Sequence, residues 1–257
     1  MPHFVSQHTL CHFDLARYSS NHVASADLRL GLISDPHGCA TSLEISLRLL
    51  RMSWHVDTII CLGDVASFGP QPDECVELLR SEAIPTVRGN SDDDMLNVPP
   101  LPDDASQRVL EIHSIIRWSR KRLSSDSLRW LSELPATYSV DAALCVHATP
   151  QSNREIAAEN DAKPFPPNTP AVFAGHLHMP FIAESSQGLW VNAGSTSRPT
   201  DGDPRGSFAV ATRAGDNWTA EIVRFDLPLE RICDQARVAR LPHHEHWCVT
   251  QREARWW

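Results

Sequence analysis

The chain has 257 residues, enough for one large single-core domain or two small ones, and its apolar and charged fractions of 42% and 21% are those of a soluble globular protein. Its net charge of −9 argues against tight, sequence-independent binding of long nucleic acid, which needs a basic surface. No apolar run approaches the length of a membrane span, so no membrane partner is expected.

In chain order, residues 1–27 fall outside any periodic pattern and read as an N-terminal extension. They lack the basic region leading into an apolar stretch that marks a secretory signal. Short apolar or β-branched runs then recur, most ending in polar punctuation. LRLGLIS (28–34) runs into DPHG, DTIICLG (57–63) into DVASFGPQP, and IPTVRG (84–89) into NSDDD. AALCV (142–146) runs into HATP, AVFAG (171–175) into HLHMP, and LWVNAG (189–194) into STSRPTDGDPRG. SFAVATR and WTAEIVRF follow, joined by AGDN, a hairpin signal. Helical spacing marks ATSLEISLRLLRMS, PDECVELLRSE and QRVLEIHSIIRWSRKRLS, and a Ser/Asp start opens a shorter helix at SSDSLRWLSEL (124–134).

The first half thus alternates strand and helix, and the second half is rich in strands. That predicts an α/β (α+β) fold with helices on a largely parallel sheet and a second sheet beside it. KPFPPNTP (163–170) offers a domain boundary, but a single domain over 28–226 is preferred, because the residues that act together lie on both sides of it. Residues 227–257 read as a C-terminal extension. The seven cysteines (Cys11, Cys39, Cys61, Cys75, Cys145, Cys233 and Cys248) are scattered and contain no C-x-x-C pair. They read as mostly buried thiols in a reducing cytoplasm, not as bridges or zinc ligands.

The strand ends carry metal-type side chains: Asp35 and His37, then Asp64, Asn90, His147, and finally His176 with His178. Parallel strands bring their C-terminal loops to one edge, where ligands of α/β sheets collect. Seven oxygen and nitrogen donors suit two divalent cations that share one carboxylate, and Asp64, in mid-series, is the natural bridge. Imidazole with carboxylate favours zinc, manganese, iron or cobalt over calcium. Each piece alone is unspecific; their order and their regular place after strands carry the reading.

Taken in order, SDPHG, LGDVASFGPQPDEC, RGNSDD, VHATP, GHLHMPF and NAGSTSRPTDGDPRGSFAV resemble the calcineurin-like metallophosphoesterase superfamily, in particular its compact bacterial and archaeal phosphodiesterase branch. The resemblance spans about residues 28–226. It implies a four-layer αββα sandwich of two mixed sheets flanked by helices, with two metals at the strand ends. It implies that Asp35, His37, Asp64 and His178 hold one metal, and Asp64, Asn90, His147 and His176 the other. It further implies a metal-bridging hydroxide as the nucleophile on a small or nucleotide-like phosphodiester. Manganese leads the expected ions, with iron, zinc, nickel and cobalt also compatible.

Asp92, Asp93 and Asp94 do not fit a calcium loop and are assigned to the start of the next helix. Ser91 is a departure, because many members of the superfamily carry histidine after this asparagine. Ser91 and Arg205 are the candidate substrate contacts, and His113 and Arg205 the candidate replacement proton donors. Arg205 either clamps a phosphate oxygen or pins its turn by pairing with Asp201 or Asp203. His243, His244 and His246 read as a flexible tail without a role in the reaction, and Trp256 and Trp257 dock either the tail or a neighbouring subunit. The alternatives are a phosphomonoesterase or protein phosphatase, a dinucleoside polyphosphate hydrolase, and a scaffold that keeps the fold without catalysis. GDVASFGP and GNSD, where protein phosphatases carry an arginine-bearing motif and GNHE, count against the protein phosphatase.

The sequence predicts that Asp64→Ala removes activity together with one or both metals, whereas His244→Ala does little. Turnover by the purified variants, read beside their metal content, decides it, and full activity in Asp64→Ala would sink the assignment.

Overall fold

The computed structural model describes residues 27–161 and 163–256; most of the expected N-terminal extension, with Cys11, and Trp257 lie outside the described residues. Strand β1 (Leu28–Ile33) leads into helix α1 (Ala40–Met52), and β2 (Thr58–Cys61) into α2 (Pro72–Ser81). Three helices follow: α3 (Asn90–Leu96), α4 (Gln107–Arg120) and α5 (Ser125–Glu133). Then come β3 (Thr137–Val140), β4 (Ala143–Val146), β5 (Ala171–Ala174), β6 (Phe181–Ser185), β7 (Gly188–Asn192), β8 (Gly206–Ala214) and β9 (Asn217–Phe225). Helices α6 (Leu229–Val238) and α7 (His244–Glu253) complete the series.

The strands form two mixed sheets, in orders β2-β1-β8-β9 and β3-β4-β5-β7-β6. In the first, β1 runs parallel to β2 and antiparallel to β8. In the second, β4, β5 and β7 run parallel between the antiparallel edges β3 and β6. Side chains alternate faces along a strand. Leu30 and Leu32 of β1 and Ala209 and Ala211 of β8 therefore meet Cys145, Phe173 and Val191 between the sheets. Ile33, Phe208 and Val210 face the other way, onto Leu43 and Leu47 of α1 and Val76 and Leu79 of α2. Burial on both faces explains the near-continuous apolar runs in the sequence.

Met95, Ile116 and Leu131 of α3, α4 and α5 join the same layer as α1 and α2. The outer face of the five-stranded sheet is covered by Ala157 and Phe165, from the irregular chain before β5, packed on Val172, Ala174 and Trp190. Six cysteines are free and buried, as their apolar surroundings predict. No helix among the described residues is long and apolar enough to cross a membrane.

Two expectations are corrected. Residues 84–89 are not a strand: Thr86 makes only an isolated bridge to Cys61. Pro85 has no N–H with which to extend a ladder. The histidine tract is not a flexible tail: α7 begins at His244, after a left-handed turn at His243 (φ 55°). Burial of the Trp247 ring decides the outcome. It is 1% exposed and packs with Ile115 of α4 and with Ile232 and Ala236 of α6. The histidines themselves stay polar, His246 lying 3.5 Å from Glu111.

Removing that ring leaves a large cavity. Trp247→Ala is expected to lower the unfolding free energy by about 3–5 kcal/mol. Urea titration measures it, and a loss well under about 1 kcal/mol would mean that α7 contributes no packing.

Candidate metal centre

The C-terminal ends of β1, β2, β4 and β5 open on one edge of the paired sheets, and each delivers a candidate ligand. Asp35 and His37 follow β1, Asp64 follows β2, His147 follows β4, and His176 and His178 follow β5. Asn90 is the first residue of α3. Five of these seven turn through left-handed backbone: Asp35 (φ 52°), His37 (φ 43°), Asp64 (φ 57°), His176 (φ 67°) and His178 (φ 59°). That conformation is strained for a residue with a Cβ, at about 1–2 kcal/mol each.

The side chains converge in two overlapping groups. In the first, Nε2 of His37 lies 2.9 Å from Nε2 of His178. Oδ1 of Asp35 is 3.1 Å from the same His178 nitrogen and 3.7 Å from that of His37. In the second, Oδ1 of Asn90 lies 3.0 Å from Nε2 of His147 and 2.9 Å from Nδ1 of His176. Asp64 stands between the groups. Its Oδ2 is 3.6 Å from His37 Nε2, and its Oδ1 is 3.4 Å from His147 Nε2.

Hydrogen bonds from outside fix which atoms face inward. Nδ1 of His147 donates to the Leu62 carbonyl at 2.7 Å, and Nδ1 of His178 donates to the Arg198 carbonyl at 2.6 Å. With Nδ1 bonded outward, each ring turns its Nε2 toward the centre. Oδ2 of Asp35 accepts from the Ser34 hydroxyl and the His176 N–H, while Oδ1 is buried without a hydrogen-bond partner. Ser91 gives both of its donors to Asp64: its N–H to Oδ1 at 2.8 Å and its hydroxyl to Oδ2 at 2.7 Å. The serine offered above as a substrate contact is thus occupied in orienting the shared carboxylate.

Two glycines let these loops close up. A Cβ on Gly89 would stand 2.1 Å from Asp64 Oδ1, and one on Gly175 would stand 1.8 Å from the Ser34 hydroxyl oxygen. Electrostatics agree with ligation. Burial, and then His178, press His37 down to about 3, which keeps it the neutral imidazole that a cation needs. Burial opposes charge on Asp64, yet His147, His37 and the Ser91 hydroxyl hold its carboxyl well below the usual carboxylate range. Against the same burial, Asp64 lifts His147 to about 10, so a cation arriving there competes with a proton.

An orphaned carboxylate oxygen, nitrogen lone pairs pointed at one another, and a carboxylate facing both groups make a donor set that fits divalent cations. Among the described residues, Asp35, His37 and His178 form one triad of metal-type atoms, and Asp35, Asp64 and His147 form a second. The second triad brings Asp35 closer to the Asp64–His147 side than the resemblance implies.

Other candidates fall elsewhere. Arg205 is half exposed and pairs with Asp203 at 2.7 Å, so it pins its own turn. His113, on α4, meets the carbonyl of Pro99 in the chain before that helix. Asn192 and Ser195 hold backbone, at the Gly175 and Asp35 carbonyls. Three residues that the sequence did not single out border the site. Ser67 lies 3.2 Å from Nδ1 of His37, and the Phe68 ring meets the His37 ring edge-on at 5.5 Å. Arg198 is buried beside them, and its only sequence signal is a lone arginine in the Ser/Thr-rich loop after NAGS. Trp256 settles over His178, with ring centroids 4.7 Å apart.

The sequence profile of the calcineurin-like phosphoesterase superfamily domain matches residues 28–216. A protein of Methanocaldococcus jannaschii is 25% identical over 234 residues, covering 83% of this chain and 93% of its own. The crystal structure of a metallophosphoesterase from Sphaerobacter thermophilus superposes with a TM-score of 0.70 at 26% identity, over 88% of this chain and 99% of that one. A Pyrococcus horikoshii protein shares the fold, with a TM-score of 0.74 at 14% identity over 88% and 98% of the two chains.

Because Ser91 restrains the carboxylate that faces both groups, Ser91→Ala is expected to weaken cation affinity by about 10–100-fold while leaving the fold intact. Calorimetric manganese titration reads the first and circular dichroism the second. Unchanged affinity would mean that Asp64 needs no such restraint.

Proposed function

The chain belongs to the calcineurin-like phosphoesterase superfamily, and on that premise we propose that it hydrolyses phosphodiesters of small or nucleotide-like substrates at a two-cation centre. Asp35, His37, Asp64 and His178 would hold one cation, and Asp64, Asn90, His147 and His176 the other. Bound there, divalent cations supply Lewis acidity to a phosphoryl oxygen and lower the pKa of a coordinated water toward neutrality.

The observation that carries the reading is the placement of Asp64, whose two oxygens each face a different group of imidazoles. Its geometry is set before any ligand arrives, by Ser91 and by the buried loops around it. Asp35, His37, His147 and His178 are buried, which keeps bulk water from weakening their field. Asn90 and His176 are half-buried and form the open side, where a substrate enters.

Preference for a diester is supported by likeness to the compact branch, and Ser91 adds a preference for good leaving groups. Serine is a poor general acid near neutral pH, and this hydroxyl is committed to Asp64. Departure then depends on the acidity of the leaving group itself, as in an aryl ester. Manganese is the proposed ion, since the amide oxygen, carboxylates and imidazoles suit it. The six free cysteines support a reducing, cytoplasmic setting.

The test is hydrolysis of bis-p-nitrophenyl phosphate beside p-nitrophenyl phosphate, with manganese, nickel, zinc or EDTA. Turnover of the diester above the monoester, abolished by EDTA, is expected. A faster monoester would overturn the diester preference, and no turnover in any metal-loaded sample would overturn the catalytic reading.

A further inference from the structure

Among the described residues, Arg198 is the one lysine or arginine that is buried. It lies in the loop between β7 and β8, and its backbone is tied into the centre. Its N–H donates to the Ser195 hydroxyl at 2.8 Å, and its carbonyl takes the Nδ1–H of His178. Its side chain has no such engagement. Nη1 is buried without a hydrogen-bond partner, and no carboxylate of the described residues forms an ion pair with the guanidinium. Only aromatic rings hold it: the guanidinium carbon sits 4.8 Å from the centre of the Phe68 ring and 5.9 Å from that of Trp256. Those two rings also lie against His37 and His178.

A buried guanidinium without a counter-ion is unfavourable unless something anionic completes it. Burial lowers its pKa to about 10, with Asp35 and Asp64 pulling the other way, so it stays charged near neutral pH. Two aromatic faces leave the edge of the planar fork as its polar surface, and that edge matches two oxygens of a phosphoryl group. The Gly202 N–H donates to the Ala254 carbonyl at 3.0 Å, which ties the chain after α7 to this same loop and holds Trp256 in place.

We propose that Arg198, clasped between Phe68 and Trp256, binds the non-bridging phosphoryl oxygens of the substrate, the role the sequence offered for Arg205. The proposal rests on the phosphoesterase reading and adds to it a specific anion-binding residue. It also gives the C-terminal helix pair a part in the site, since Trp256 closes the clasp.

The test uses the full chain loaded with manganese, and inorganic phosphate as the probe, read by calorimetry. Arg198→Gln is expected to keep the manganese stoichiometry and to lose about 30-fold or more in phosphate affinity, with a matching rise in KM for bis-p-nitrophenyl phosphate. Arg198→Lys, which keeps the charge without the planar fork, should fall between. Arg129→Gln, exposed on α5, is the control. Wild-type phosphate affinity in Arg198→Gln, with metals bound, overturns the proposal and leaves the phosphoesterase reading standing. If Arg198→Gln loses its metals, the lysine variant decides: affinity equal to that of the wild type overturns it. Phosphate binding that depends on Arg198 in a protein that hydrolyses neither ester upholds the anion site and removes the catalytic reading instead.

Discussion

The centre depends on one carboxylate that is not itself a candidate ligand. Asp92 is fully buried and accepts three backbone N–H groups. Those of Asp64 and Gly89 reach Oδ2, each at 3.0 Å, and that of Val65 reaches Oδ1 at 2.8 Å. It clasps the loop after β2 to the loop that opens α3. Burial and the Asp64 carboxylate push it up to about 7, while the Gly89 and Val65 amides pull it down. With the two loops locked, Ser91 meets Asp64, Asp64 meets His37 and His147, and the two groups of donors share an edge. The neighbouring acids have lighter duties: Asp93 meets Arg88 and Asn153, and Asp94 meets Arg154.

Left-handed backbone at five ligand positions is the second constraint. A strand that simply continued would carry its next side chains away from the sheet edge. A left-handed turn brings Asp35, Asp64 and His178 back over it. Aspartate and histidine tolerate that region better than most residues, though still at a cost. The cost is offset by bonds that cross between the two sheets, such as His147 to Leu62, and Ser195 and Ser197 to the carbonyls of Asp35 and Pro36, and by one within the five-stranded sheet, Asn192 to Gly175.

Much of this was legible in the chain. The ligand positions stand out because each follows an apolar run that can only be a buried strand, and the side chains that end those runs are metal-type. The edge strands β3 and β6 went unnoticed because TYSV and FIAES are short and half-exposed, so their apolar pattern is weak. Helices α6 and α7 were missed for a related reason: a few residues, chiefly Ile232, Ala236 and Trp247, carry their packing, and the histidines around them disguise it. Arg198 was beyond reach, since no local pattern reports that an arginine is buried without a carboxylate. Ser91 could be read as a departure from the usual histidine, but not as the residue that aims Asp64.

The span of the centre along the chain has a kinetic meaning. His37 and His178 touch across 141 positions, as do Asp35 and the His176 N–H. The donors belong to loops of two different sheets, so no fragment of the chain assembles either group. Such long-range closures come late in folding. Cations would therefore meet only scattered aspartates and histidines until the sheets have docked, and would grip the chain after the folding transition state has passed. Interactions absent from that transition state act on the unfolding rate. Metal supply would thus set how long the folded molecule lasts, and leave almost unchanged how fast it forms.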